Sequence, residues 1–213
     1  MSCRLIFIRH GQSLGNKVGK FLGHTDLDLS HAGYRQAELV GNFLKDISID
    51  NIYSSDLLRA YNTSLPLSKL KDLKVEKRKE LREIFAGDWE NKEFTFLLEN
   101  FSEAYSVWIN NIGAACPDNG ESVALLQKRI VEEVERIAKE NDGKTVAVFT
   151  HATPIRTLFA YIREMSIEEI KDIPWATNAS LSEAVYENGK FTEICYSDDS
   201  FLAELITRFP KNV

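Results

Sequence analysis

The chain has 213 residues, an apolar content of 44% and a formal net charge of -6, values ordinary for a globular protein with the length for one large domain and a substantial core. It has no basic stripe of the kind that nucleic-acid binding relies on, and no apolar stretch long enough to span a bilayer, so neither nucleic acid nor membrane is expected as a partner. Cys3, Cys116 and Cys195 are scattered, odd in number and without C-x-x-C spacing, which suggests neither a disulfide framework nor a structural zinc site and fits a reducing, cytoplasmic compartment.

Residues 5–8 form a short apolar run that ends in Arg9-His10-Gly11-Gln12-Ser13, with Asn16 three residues on. It reads as a buried strand delivering its last residues to a sheet edge. No secretory leader is recognised, because Arg9 and His10 follow the run at once. Ser30 is placed to cap a helix with Ala37, Val40, Gly41 and Leu44 on one face, and a short strand follows at about 51–53. Asp56 is expected to start another helix, which Pro66 should kink or end. After a weak strand near Val75 and the stretch 81–89 comes an aromatic-rich region with Phe94, Phe96, Phe101, Tyr105 and Trp108. From about 88 to 118 the strand-helix rhythm is broken, so this segment is expected to be an insertion covering the strand ends, its aromatics serving packing more than ligand contact. Pro117-Asp118-Asn119-Gly120 is a turn cluster before a helix with Val123, Leu126, Ile130, Val134 and Ile137 on one face.

A second buried run, 146–149, ends in Thr150-His151. Thr153 is expected to cap, and Pro154 to open, a helix with the stripe Ile155, Leu158, Phe159 and Ile162. Runs at 181–186 and 191–196 flank Asn188-Gly189, which predicts a hairpin closing one side of the sheet. The alternation specifies an α/β fold: a doubly wound, mostly parallel sheet flanked by helices, one domain over 1–213 with a small covering insertion and a C-terminal hairpin.

Ligands of open α/β sheets bind beyond the carboxyl ends of the strands, where His10 and His151 would converge. A histidine at one strand end is ordinarily a hydrogen-bonded loop residue; two at matching ends, one beside arginine, change that balance. Neutral imidazole is a competent nucleophile and arginine a planar fork of donors matched to phosphate, so the pair suggests phosphoryl transfer. Gly11 is read as making room for an anion, and Ser13 as opening a stretch of free amides pointed at it. Gly11, Gly15 and Gly19 make neither G-x-G-x-x-G nor a P-loop, so no dinucleotide is expected.

Arg9-His10-Gly11 with Ser13 and Asn16 resembles the signature of the histidine phosphatase superfamily, the phosphoglycerate mutase-like proteins. Further blocks match in order: Thr25-Asp26-Leu27-Asp28-Leu29 with Gly33 and Gln36-Ala37; Ser54-Ser55-Asp56-Leu57 with Arg59-Ala60 and Thr63; Leu81-Arg82-Glu83 with Gly87 and Trp89-Glu90; Pro117 with Gly120-Glu121-Ser122; Thr150-His151; and Asn178-Ala179-Ser180. The resemblance implies that His10 attacks phosphorus and carries a phosphohistidine, that Arg9, Asn16, Arg59 and His151 hold the phosphoryl oxygens, and that Glu83 is the general acid. Without the block, any one of 32 acidic residues reads as a solvated charge. Gln12, Ser13, Gly23, His24, Tyr105 and Trp108 are expected around the substrate rim. No metal and no cofactor is implied, and the expected partner is a small phosphomonoester; natural substrate and oligomeric state are not written in these residues. A 2,3-bisphosphoglycerate-dependent mutase is the alternative enzyme, and a phosphate-binding regulatory module the alternative outside catalysis, against which the intact His10, Arg59, Glu83 and His151 argue.

Overall fold

The computed structural model describes residues 1–207. Its strands are β1 (Ser2–Arg9), β2 (Asn51–Ser54), β3 (Val75–Lys77), β4 (Thr145–Thr150), β5 (Leu181–Glu187) and β6 (Lys190–Asp198); its α-helices are α1 (Leu14–Lys17), α2 (His31–Leu44), α3 (Leu58–Lys71), α4 (Phe94–Asn100), α5 (Ser102–Asn110), α6 (Val123–Glu140) and α7 (Ala152–Ile162). One six-stranded sheet runs in the order β3-β2-β4-β1-β5-β6. The first four strands in that order are mutually parallel, while β5 pairs antiparallel with β1 and β6 antiparallel with β5.

Strand β1 is apolar on both sides because both sides are covered. Leu5 and Phe7 point into a core with Ile130, Val134 and Ile137 of α6 and Ile155, Leu158 and Phe159 of α7; Ile6 and Ile8 point the other way, toward Val40 and Leu44 of α2 and Leu67 of α3. This is the period of two of a strand sandwiched between helices. The β1–β4 register sets Arg9 opposite Thr150, so His10 and His151 leave the sheet side by side. At the far edge Asn188 and Gly189 both have positive φ, 51° and 81°, as the tight turn between β5 and β6 requires.

Two helix boundaries differ from expectation. Leu57, not Asp56, caps α3, because the Asp56 carboxylate is engaged by Arg82 at 2.6 Å; Pro66 lies inside the helix without ending it. The cost of an internal proline, roughly 3 kcal/mol, is offset where its ring packs on α2, so closely that a Cβ added at Gly41 would sit 3.0 Å from the Pro66 Cβ. Helix α7 starts at Ala152 with His151 as N-cap, which moves Thr153 and Pro154 into the first turn.

The segment between the short 3-10 turn Gly87–Trp89 and Pro117 carries α4 and α5 and has its own small core: Trp89, Leu97, Tyr105, Trp108 and Ile112 pack with Phe21, Ile170 and Ile173. It is tied to the N-terminal loop by a bridge between Lys20 and Glu93 and by Phe21 N–H donating to the Lys92 carbonyl at 2.8 Å.

Candidate active site

His10 is 4% exposed and is held from two sides: its N–H donates to the Thr150 carbonyl of β4 at 3.0 Å, and its carbonyl accepts from Ala179 N–H at 3.2 Å. Its Nδ1 lies 2.7 Å from the Gly11 carbonyl. A carbonyl only accepts, so Nδ1 carries the proton and Nε2 is the basic nitrogen, turned toward the cleft that His10 lines. Burial, reinforced by the Arg59 and Arg9 charges, holds the imidazole pKa well below its ordinary value of 6.5, so the ring is neutral at pH 7.

Arg9 donates to the Ala176 carbonyl, and Arg59 donates to the carbonyls of Gly23 at 2.8 Å and Thr25 at 2.9 Å. Both guanidiniums are buried, and burial brings each pKa down to about 10, so both stay charged at neutral pH. Two desolvated cations at one cleft are a receptor for a multiply charged anion.

His151 is fully buried, its ring 5.1 Å from that of His10, with Nε2 2.8 Å from Ser55 Oγ and Nδ1 without a partner. Asn16 Oδ1 accepts from Ser13 N–H at 3.1 Å and Asn178 Nδ2 at 3.3 Å, which leaves the Asn16 nitrogen for the cleft it lines. The glycine and amide readings are corrected here. Gly11 is required because a Cβ would come within 2.6 Å of the Gly33 carbonyl, and its N–H is taken by Thr63 Oγ1 at 3.0 Å. The amides after it are also used internally: Ser13 with Asn16 forms a reciprocal cap on the four-residue α1, and Leu14 N–H donates to Asp28 at 2.9 Å. The N–H groups of Gly11, Gln12, Ser13, Leu14 and Asn16 are thus all used within the protein, and side chains supply the donors at this pocket.

Glu83 sits after β3 in an irregular stretch, 8% exposed, accepting from Ile84 N–H at 2.8 Å and Thr153 N–H at 3.3 Å. Burial raises its pKa against the pull of those bonds and of Arg59, so desolvation shifts the carboxyl in the direction of its neutral form. Arg9, His10, Asn16, Arg59 and Glu83 line one cleft together with Thr153, and its remaining wall is Lys20, Phe21, Leu22, Phe94, Trp108 and Trp175. Of the expected rim, Trp108 reaches this wall. Tyr105 is in the covering core against Trp89 at 5.4 Å; the Gln12 side chain bonds Ser30; Ser13 is a cap; Gly23 contributes its carbonyl to Arg59; and His24 bonds the Glu83 carbonyl at 3.1 Å from behind. In the sequence Phe94 reads as packing within the covering segment and Phe21 and Trp175 are not singled out, since all three belong to an apolar pattern indistinguishable from core packing, while Ser55 lay unused inside a block already quoted.

Comparison with known proteins agrees with this geometry. Residues 5–199 match the histidine phosphatase superfamily, branch 1. The chain is 33% identical over 156 residues to phosphoserine phosphatase 1 of Hydrogenobacter thermophilus, covering 73% of this chain and 74% of the relative, and 31% identical to the adenosylcobalamin/alpha-ribazole phosphatase of Escherichia coli, covering 78% and 81%. A 2,3-bisphosphoglycerate-dependent phosphoglycerate mutase of Methanococcus vannielii is 28% identical, covering 87% and 92%. The solved structure of Bacillus stearothermophilus YhfR superposes with a TM-score of 0.90 at 25% identity, covering 94% of this chain and 99% of that one. The chain belongs to the histidine phosphatase superfamily, branch 1.

Proposed function

We propose that this protein is a phosphomonoesterase that works without a metal, through a phosphohistidine on His10 Nε2. The observation that carries the reading is the 2.7 Å contact from His10 Nδ1 to the Gly11 carbonyl, which fixes the tautomer with a basic nitrogen facing the arginine-lined cleft. In the first step Nε2 forms a bond to phosphorus while the bond to the ester oxygen breaks, and the Glu83 carboxylic acid gives its proton to the departing alkoxide. In the second, the Glu83 carboxylate takes a proton from water as the water oxygen bonds to phosphorus, the P–N bond breaks, and inorganic phosphate leaves. Arg9, Arg59, Asn16 and His151 supply fixed donors to the equatorial oxygens, each worth on the order of 3 kcal/mol in the transition state.

Hydrolysis rather than mutase chemistry is supported by the outer wall. A mutase must hold a carboxylate and a second phosphoryl group, yet among the described residues Lys20 is, beyond the two arginines, the basic side chain on this wall, and no Lys or Arg occurs from Glu93 through Gln127. Phe21, Phe94, Trp108 and Trp175 favour a substrate with an apolar or uncharged organic part, the segment at about 88–118 serving as the cover that selects it. Turnover of p-nitrophenyl phosphate in the presence of chelator, lost in His10→Ala, is the expected result; chelator-sensitive turnover, or full activity in His10→Ala, contradicts the reading. With 3-phosphoglycerate and 2,3-bisphosphoglycerate supplied, phosphorus NMR is expected to show inorganic phosphate accumulating; rapid equilibration of the two phosphoglycerates would instead establish a mutase.

A further inference from the structure

Residues 205–207 run back to the phosphoryl pocket, and a series of side-chain hydrogen bonds connects them to Asn16. Each link has one possible direction. The Gln12 N–H donates to Gln36 Oε1 at 2.7 Å, so the other end of that amide is its nitrogen, which donates to the Leu205 carbonyl at 2.7 Å and to Thr207 Oγ1 at 3.1 Å. The hydroxyl proton of Thr207 then goes to Asn178 Oδ1 at 3.1 Å. That contact turns the Asn178 nitrogen toward the His10 carbonyl at 3.2 Å and Asn16 Oδ1 at 3.3 Å. Asn16 Oδ1 also receives the Ser13 N–H at 3.1 Å. Two donors on the oxygen leave the Asn16 nitrogen as the end available to the cleft.

We propose that Thr207 is a positioning residue of the phosphate pocket: its hydroxyl holds the Asn178 amide, and through it the Asn16 amide, in the orientation that presents an N–H to a phosphoryl oxygen. The proposal deepens the phosphatase reading and rests on it. Asn178 is 4% exposed, so removing the Thr207 hydroxyl strands a buried oxygen, and the least costly relief is rotation or displacement of the Asn178 side chain. Such movement withdraws the donor that holds Asn16 from behind. A threonine near the end of the chain, far in sequence from Asn16, thereby belongs to the same hydrogen-bonded unit as the residues that follow the first strand.

The test uses the full chain carrying Thr207→Val, Thr207→Ser, Asn16→Ala and the double variant Asn16→Ala/Thr207→Val, with inhibition by orthovanadate and by inorganic phosphate as readouts of phosphoryl binding and KM against kcat for p-nitrophenyl phosphate alongside. Thr207→Val is expected to weaken both inhibitors about three- to tenfold, the scale of one hydrogen bond, and to raise KM more than it lowers kcat. Thr207→Ser restores wild-type inhibition. In the Asn16→Ala background Thr207→Val adds nothing further, because its effect passes through Asn16. Unchanged inhibition in Thr207→Val, an equal loss in the Asn16→Ala background, or an Asn16→Ala variant that binds orthovanadate like wild type would each overturn the proposal. Those failures leave wild-type turnover and its loss in His10→Ala intact, whereas failure of the phosphatase reading appears as turnover that survives His10→Ala.

Discussion

His151 Nε2 lies 2.8 Å from the hydroxyl oxygen of Ser55, an interaction that ties the end of β4 to the loop after β2. For His151 to donate a proton to a phosphoryl oxygen from Nδ1, the Ser55 hydroxyl must donate to Nε2 and so select that tautomer. Ser55→Ala is therefore expected to lower kcat/KM about three- to tenfold and to weaken orthovanadate inhibition in parallel. Steady-state kinetics beside a melting curve checks this: a lower Tm with unchanged kcat/KM would assign Ser55 a purely structural role.

Glu83 is buried, accepts two backbone N–H groups on its carboxylate and has a raised pKa. Glu83→Gln keeps the shape and removes the transferable proton. An alkyl phosphate with a poor leaving group should then slow by about 10²- to 10⁴-fold, and p-nitrophenyl phosphate, whose leaving group needs little protonation, by much less. Equal losses on the two substrates would count against proton donation to the leaving group.

The two histidines make stability fall on the acid side of neutrality. Burial lowers the pKa of both His10 and His151 well below 6.5, so in the unfolded chain each binds a proton at pH values where the folded protein does not. Their contribution is fully present above the unfolded value and is lost as pH falls below it toward the folded value. Tm should therefore decline between pH 7 and pH 5, and His151→Gln should flatten that slope. A slope unchanged by the substitution would show that other groups carry it.

Tyr105 and Trp108 lie on one helix and should separate cleanly. Tyr105 is fully buried with an unpartnered hydroxyl, so Tyr105→Ala is expected to cost about 3–5 kcal/mol without a specific effect on KM, whereas Tyr105→Phe removes no hydrogen bond and should leave stability equal or higher. Trp108 stacks on Trp175 at 5.9 Å, inclined by 25°, and lines the cleft. Trp108→Ala should raise KM for a bulky apolar phosphomonoester while inorganic phosphate inhibition changes little; denaturant unfolding and kinetics on the four proteins decide it.

The sheet was legible wherever apolar runs were short and bounded: residues 5–8 and 146–149 lie in parallel neighbours, and Asn188-Gly189 turns the hairpin. Local signals failed where tertiary packing outweighed them, as with Pro66 inside α3 against Gly41, and where a capping side chain was engaged elsewhere, as with Asp56 on Arg82. In the site, residue types pointed to the phosphate chemistry, but the partners that tune them did not show in the sequence. The Gly11 carbonyl on His10, the Gly23 and Thr25 carbonyls on Arg59 and the Thr153 N–H on Glu83 are backbone groups, identical in every residue, and only the fold brings them near. Tyr105 and Trp108 illustrate the same limit, since three positions on a helix separate a ring wholly within the core from one that also lines the cleft.

Whether phosphate passes through His10 is decided by a rapid quench with phosphorus-labelled substrate followed by mapping of the modified residue. The expected result is a phosphoenzyme that is labile to acid and stable to base, formed faster than or as fast as turnover, mapped to His10 and absent from His10→Ala. Label on another residue, or wild-type turnover in His10→Ala, would contradict it.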